Sequence, residues 1–354
     1  MSAWDVLIDR RNLRQAEARP APAASERPLA SGEVLLEIER FALTANNITY
    51  GMIGDAFGYW RFFPAPDDLG RIPVWGFARV VRSEAPDAPV GLRLFGYLPM
   101  STHVTMRLAR TRSGFVDTAP HRADLPPTYN AYAEAAESPL DDHRALLRPL
   151  LMTSFLLDDF LSEEAALTTL VLTSASSKTA MGLAWFARRR GRRVVGLSSP
   201  ANLARLEALG LYDQILPYDR AGELKTTEPT ALVDFAGDRP VVAAAHAALG
   251  DSLTRSLIVG GTHWEAQGAL QENPGLTGPR PVLFFAPDQI RKRAAEWGPG
   301  EIETRFDAGL AAFVAESPWL NLVQHQGAEG LLAAYSDVLE GRARPEDGHI
   351  IRPL

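Results

Sequence analysis

The chain has 354 residues, a formal net charge of −7, 46% hydrophobic and 22% charged residues, so the length predicts two domains with enough apolar mass for a sizeable core. The acidic balance argues against nucleic acid as a partner, because neutralising phosphates needs a basic face. Cysteine is absent from the sequence, which excludes disulfides, thiolate catalysis and Cys-ligated zinc.

Met1, Ser2, Ala3, Trp4 and Asp5 show neither the basic flank nor the apolar run of a signal peptide. Apolar stretches are interrupted by Thr, Ser, Asp or Gly before they reach membrane-spanning length, and a cytoplasmic protein is expected. Residues 6–8 form a short β candidate, and the Pro- and Ala-rich stretch 19–28 predicts a surface loop. Residues 34–43 (VLLEIERFAL) alternate apolar and charged side chains, the pattern of a half-buried antiparallel strand. With 74–81 and 92–98 they predict a β-rich domain over roughly the first 130 residues.

The rhythm changes near Ser138. Leu146, Leu147, Leu150, Leu151, Phe155 and Leu156 recur at helical spacing within a predicted helix over 138–160. Strands over 170–173, 193–197, 214–216, 231–235 and 257–259 then alternate with helices over 179–190, 201–209 and 243–249. That alternation implies a parallel sheet covered on both faces. A last strand-like run (281–285) and helices over 288–297, 303–316 and 327–339 complete the chain.

The passage "VLTSASSKTAMGLAWFARRRGRRVVGLSS" (171–199) reads as strand, tight turn, helix and second strand. A helix N-terminus attracts phosphate through its unpaired N–H groups and its dipole. Ser174, Ser176 and Ser177 replace the glycines usual in such turns, and their hydroxyls can donate to phosphate oxygens, as can Thr179. Lys178 adds a positive charge, and Ala180 stands where the third glycine of a dinucleotide fingerprint permits close packing. Two other readings compete: an ordinary Ser-capped helix start, and a P-loop suggested by "SKT" but without its shaping glycines. After the second strand, Ser198, Ser199 and Asn202 occupy the region where an acidic residue would bind an NAD ribose. Hydroxyls and an amide there favour the 2′-phosphate of NADP, although serines also serve turns.

The chain resembles the medium-chain dehydrogenase/reductase superfamily, in particular its zinc-independent quinone and enoyl reductase branch. "FALTANNITYGMIGD" (41–55) is similar to the Asn-containing segment of that branch, "IPVWGFARVV" (72–81) to its Pro-Gly-x-Glu segment, and "RLFGYL" (93–98) to its Gly-Asp-Arg-Val strand. "LLMTSFLL" (150–157) resembles the helix whose threonine, here Thr153, lies near nicotinamide. "LARLEALGLYDQILPYD" (203–219) resembles the passage where a lysine and a tyrosine bind the 2′-phosphate, positions that fall on Asn202 and Tyr218. "LVDFAGD" (232–238) and "LIVGG" (257–261) resemble the strand ends that contact the nicotinamide ribose, which implicates Phe235, Gly237, Val259 and Gly260. The departures are the missing turn glycines and the missing glutamate of "VWGFA", which mark a divergent offshoot.

The resemblance implies an α/β protein with a GroES-like β-rich catalytic domain (1–137 with 286–354) and a Rossmann-type, doubly wound parallel-sheet domain (138–285) that binds NADP. NADPH is expected over NADH, with no metal, and a homodimer is possible through the 281–285 strand. In that branch an acid protonates the reduced substrate, and a tyrosine follows the Asn-containing segment; Tyr59 falls near that spacing from Asn47, with Tyr50 closer. Tyr59 and Tyr50 can donate a proton or a hydrogen bond, and Asn46 or Asn47 can orient a carbonyl. The aromatic run "FGYWRFF" (57–63) and Trp75 equally suit an apolar lining, and favour a hydrophobic or aromatic small-molecule substrate. The stretch Tyr129-Asn130-Ala131-Tyr132 can contribute near the domain junction or serve equally as a loop.

The seven histidines are scattered without the close spacing of a metal site, His263 being the best placed. The pairs Asp141–Asp142 and Asp158–Asp159 read as solvated helix faces, and the Arg188–Arg193 run as a dipole-compensating helix end. Two functions therefore stand. One is NADPH-dependent reduction of an activated C=C bond, a quinone or a carbonyl; the other is a binding or non-redox role in a chain that has lost hydride transfer.

Overall fold

The computed structural model describes residues 3–21, 26–259 and 276–354. They divide into two compact units, Met1–Leu146 with Leu320–Leu354, and Leu147–Trp319.

The first unit is β-rich. β1 (Trp4–Asp9) pairs with β2 (Asn12–Pro20). β2 is predominantly polar and exposed, which is why 19–28 reads as a loop; the strand instead runs through Arg19 to Pro20, and 22–25 lie outside the described residues. β3 (Glu33–Leu43) leads into helix α1 (Ala45–Met52), and the short β4 (Leu69–Gly70) pairs with β1. β5 (Pro73–Ser83), β6 (Arg93–Pro99), β7 (His103–Thr111), β8 (Gly114–Asp117) and β9 (Ala131–Glu134) follow.

Pairing in the order β3-β5-β6-β9-β8-β7 is closed by a β3–β7 ladder, so these strands form a barrel-like ring without free edges. Val34, Leu36 and Ile38 of β3, Phe77 of β5 and Phe115 of β8 are buried with at most 1% exposure, the side-chain set that the alternating pattern turns inward. Phe77, Phe95, Tyr97 and Phe62 extend this interior.

Helix α2 (Asp141–Leu161) opens with the carboxylates Asp141 and Asp142. In the second unit, β10 (Thr169–Leu172), α3 (Lys178–Arg189), β11 (Arg193–Ser198), α4 (Leu203–Leu209) and β12 (Gln214–Pro217) come first. They are followed by β13 (Thr230–Asp234), α5 (Arg239–Leu249), β14 (Leu253–Ile258) and β15 (Val282–Leu283). Among the described residues the sheet runs β12-β11-β10-β13-β14-β15 with every neighbouring pair parallel. In order of appearance this is the 3-2-1-4-5-6 arrangement of dinucleotide-binding sheets, whose topological switch lies between the first and fourth strands. Val171, Val195, Leu197, Leu232, Val241 and Ala245 pack between sheet and helices.

Helices α6 (Ala286–Trp297) and α7 (Glu301–Glu316) fall in this second unit, whereas the sequence assigns 286–319 to the β-rich domain. The reason lies in their contacts. Phe306 packs on Phe155, Phe313 packs edge-on against Trp185, and Arg293 and Gln289 bond Asp159. The chain then returns to the first unit, where β16 (Asn321–Gln326) pairs parallel with β17 (Asp347–Arg352), β17 pairs antiparallel with β3, and α8 (Gly327–Leu339) connects the two.

The aspartate pairs are not solvated. Asp141 is 3% exposed and bonds Arg93 at 2.8 Å, while Asp158 is 2% exposed and bonds Arg190 at 2.6 Å. Asp159 meets Arg293, and Asp142 meets Arg40 and Arg352. Burial of a carboxylate requires such partners, and they arrive from distant parts of the chain. The basic run is used likewise: Arg190 and Arg192 turn to Asp158, and Arg189 turns to Glu316.

Candidate functional site

In the second unit the turn between β10 and α3 is built from alternating environments. Thr173 and Ala175 are buried, whereas Ser174, Ser176, Ser177, Lys178 and Thr179 are half-exposed. Ser174 takes the left-handed backbone conformation with φ 48°, a region glycine enters without the penalty a side chain carries. Ala175 is tied from both sides: its N–H donates to the Leu197 carbonyl at 3.0 Å, and the Tyr212 hydroxyl donates to its carbonyl at 2.6 Å. Ser177 caps α3, its hydroxyl oxygen accepting from the Ala180 N–H at 3.2 Å, which leaves the hydroxyl proton to donate outward.

Helix α2 is stapled to this first turn of α3. Ser154 donates to the Thr179 carbonyl at 2.7 Å, and Gly182 sits where a Cβ would come within 2.7 Å of Leu151. Close packing thus falls on Gly182 as well as on the fully buried Ala180. Thr153, next to this staple, is half-buried and donates to the Pro149 carbonyl of its own helix at 3.3 Å.

The neighbouring strand β13 supplies a residue the sequence reading missed. Asp234 is 5% exposed and accepts a 2.6 Å hydrogen bond from the Thr173 hydroxyl. Its carboxylate also accepts from the N–H groups of Ala236 and Gly237, while the Thr173 oxygen accepts from Phe235 and Ala236. Thr173 and Asp234 therefore knit the ends of β10 and β13 on either side of the switch point and fix the 235–237 loop. Phe235 and Gly237 are half-buried there, and Gly237 has φ 74°. Val259 is joined to the same place, its N–H donating to the Asp234 carbonyl at 2.8 Å. Gly260 and His263 lie outside the described residues.

Tyr218 is half-buried and hydrogen-bonds Ser174, and burial raises its phenol above the ordinary range. It thus joins the turn. At the end of β11, Ser198 is wholly buried and its hydroxyl has no partner among the described residues. It faces the interior and is not a surface donor. Ser199 and Asn202 are half-exposed and joined by a 3.2 Å side-chain hydrogen bond. The donor set fits a dinucleotide diphosphate at Ser174, Ser176, Ser177, Lys178 and Thr179: hydroxyls and an ammonium around a helix start, on backbone held by Tyr212 and Leu197.

In the first unit, α1 and the following 3₁₀ turn gather aromatic rings. The Tyr50 and Tyr59 centroids are 4.6 Å apart, Tyr59 and Tyr129 are 5.5 Å apart, and Trp75 and Tyr97 are 5.2 Å apart. Tyr50, Tyr59 and Tyr97 are buried, whereas Trp75, Tyr129 and Phe57 are half-exposed. Burial pushes the Tyr59 phenol up to about 12 and raises Tyr50, Tyr97 and Tyr129 as well. Each therefore keeps its proton at neutral pH. The Tyr97 hydroxyl is buried without a partner among the described residues.

Asn47 is structural. Its side-chain oxygen accepts from Thr44 N–H at 2.8 Å and its amide donates to the Pro73 carbonyl at 2.9 Å, which caps α1 and ties it to β5. Asn46 instead donates to the Tyr50 hydroxyl at 2.7 Å.

A family profile described as "Protein of unknown function (DUF2855)" matches residues 41–344. The chain belongs to this family. No curated protein matches this DUF2855 chain. Among solved structures it is similar to CurA from Vibrio vulnificus in complex with NADPH, at 14% identity, a TM-score of 0.65 and 99% of each chain covered. It is also similar to the CurK enoyl reductase (13% identity, TM-score 0.60, 100% of each chain covered). The quinone oxidoreductase from Coxiella burnetii matches at 12% identity and a TM-score of 0.58, again over 100% of each chain. These likenesses show that this chain has the fold of those proteins, with the β-rich unit and the parallel-sheet unit expected from the sequence.

Among the described residues of this DUF2855 chain, no helix is long and apolar enough to cross a membrane, and no group of three or more His, Asp or Glu could hold a metal ion. Two histidines do meet. His325 Nε2 lies 2.9 Å from His349 Nδ1 across β16 and β17, 24 residues apart in sequence, so spacing alone does not reveal the pair.

Proposed function

We propose that this protein is an NADPH-dependent, zinc-independent cytoplasmic oxidoreductase that reduces an activated C=C bond, a quinone or a related carbonyl of a hydrophobic or aromatic small molecule. The observation that carries the reading is the hydroxyl- and lysine-lined turn at the start of α3, next to the Thr173–Asp234 bridge at the switch point of a parallel sheet. Ser174, Ser176, Ser177, Lys178 and Thr179 would hold the diphosphate, Ser199 and Asn202 the 2′-phosphate, and Phe235, Gly237 and Val259 the nicotinamide end. The absence of an acidic side chain at the end of β11 supports NADPH over NADH.

Bound there, NADPH would supply a hydride to an electron-poor atom of the substrate. Tyr59 holds its proton far above neutral pH and would donate it to the reduced substrate, while the half-exposed rings of Trp75 and Tyr129 would stack on a flat molecule. Val282 of β15 at 58% exposure and Phe285, which caps α6, at 54% support a homodimer paired along that edge.

A second reading also has an observation behind it. Ser174, Ser176 and Ser177 carry side chains where glycines would let a diphosphate approach backbone, which favours a member that has given up hydride transfer for binding or a non-redox step. Lys178→Ala separates the two: the reductase reading predicts NADPH affinity weakened about tenfold, the loss of one charge-assisted hydrogen bond. Unchanged affinity would favour the second reading.

A further inference from the structure

We propose that the Tyr129 hydroxyl supports Tyr59 as it gives up its proton. The inference rests on the reading of Tyr59 as the proton donor and assigns its positioning residue.

The Tyr59 hydroxyl donates to the Tyr129 hydroxyl at 3.3 Å. The Tyr50 oxygen, beside them, accepts from Asn46 at 2.7 Å and from the Trp75 indole at 3.5 Å. A hydroxyl donates as well as accepts, so once Tyr59 has lost its proton the Tyr129 O–H can turn to donate to the Tyr59 oxygen. Consistently, the bond to Tyr129 lowers the Tyr59 phenol against burial.

Tyr129 is held from behind by a buried lock. Arg122 and Asp117 have side chains 2% exposed and lie 3.1 Å apart, and Arg122 donates to Asn130, whose amide donates to the Asp117 carbonyl. The guanidinium also lies over the Phe63 ring at 4.6 Å. Asn130 directly follows Tyr129, so the lock fixes the ring that faces Tyr59.

Chemically, the Tyr59 O–H bond breaks and a C–H or O–H bond forms on the substrate, already reduced by the hydride. The electron pair of the broken bond stays on the Tyr59 oxygen as phenolate. The Tyr129 hydroxyl then donates a hydrogen bond to that oxygen. Water returns the proton to Tyr59 between turnovers.

The test places 3,5-difluorotyrosine at position 59 of the full chain by site-specific incorporation, which brings the phenol into an accessible pH range, and follows its titration by fluorine NMR. Tyr129→Phe keeps the ring and removes the donor, and should raise the titration midpoint of residue 59 by about one to two pH units. Tyr212→Phe in the second unit should leave it unmoved. An unchanged midpoint in Tyr129→Phe, with wild-type near-ultraviolet dichroism, overturns the proposal. The titration needs neither coenzyme nor substrate, so its failure is distinct from failure of the reductase reading, which is judged by NADPH binding.

Discussion

Thr173→Val perturbs the bridge across the switch point while keeping side-chain volume and β-branching. In the wild type its hydroxyl donates to Asp234 at 2.6 Å and accepts from the Phe235 and Ala236 N–H groups at 2.8 and 3.1 Å. Valine removes the bond to the carboxylate, worth about 1.5–3 kcal/mol, and strands the Phe235 N–H, worth about 1–3 kcal/mol when buried. Ala236 loses less, because Asp234 still accepts from it at 3.0 Å. The expected loss is about 3 kcal/mol, or a fall of about 6–12 °C in melting temperature for a unit of this size. Differential scanning calorimetry with urea titration measures it. A double-mutant cycle with Asp234→Asn should show coupling of about 1–2 kcal/mol, since the two share one network. A Thr173→Val protein that melts within about 1 °C of wild type would refute the claim that this bridge holds the 235–237 loop.

Arg122→Met should destabilise the first unit by about 3–5 kcal/mol, because it leaves Asp117 buried without its cation. Arg122→Lys should not restore that stability, since an ammonium cannot reproduce the fork and the ring stacking; a urea midpoint near wild type for either variant would contradict this. Alkaline stability gives a third check. An unfolded tyrosine ionises near 10.0, while burial pushes Tyr59 and Tyr132 up to about 12. Between those values the unfolded chain binds fewer protons, so stability falls as pH rises from 10 through 12, by about 3 kcal/mol for each such phenol. A flat unfolding free energy from pH 9 to 11.5 in a urea series would count against the buried, protonated cluster.

The parallel-sheet half was legible because each of its strands is a short apolar run between helical patterns, as in "TLVL" and "TALVD". The same holds for the turn before α3, which is local: cap, hydroxyls and lysine lie within a few residues of one another. What sequence did not reveal is held by long-range contacts. β2 and β16 are polar strands, stabilised by ladders to β1 and β17 and lacking an apolar face of their own to announce them. Asp234 gains its meaning from Thr173, 61 residues away, and Tyr59 gains its from Tyr129, 70 residues away. Asp141 and Asp158 read as surface because adjacent carboxylates on a helix are commonly solvated; their burial depends on arginines that periodicity does not locate. Asn47 matches a motif position, yet its amide caps α1.

The central claim is that the Ser174–Thr179 turn seats the diphosphate of a reduced nicotinamide dinucleotide. Isothermal titration of the purified protein with NADPH, NADH and Mg-ATP tests it most directly. The account predicts saturable 1:1 NADPH binding, NADH at least about tenfold weaker for want of the 2′-phosphate contacts, and no Mg-ATP binding at the same concentrations. Heat signals absent for both dinucleotides, or binding of Mg-ATP in place of NADPH, would contradict it.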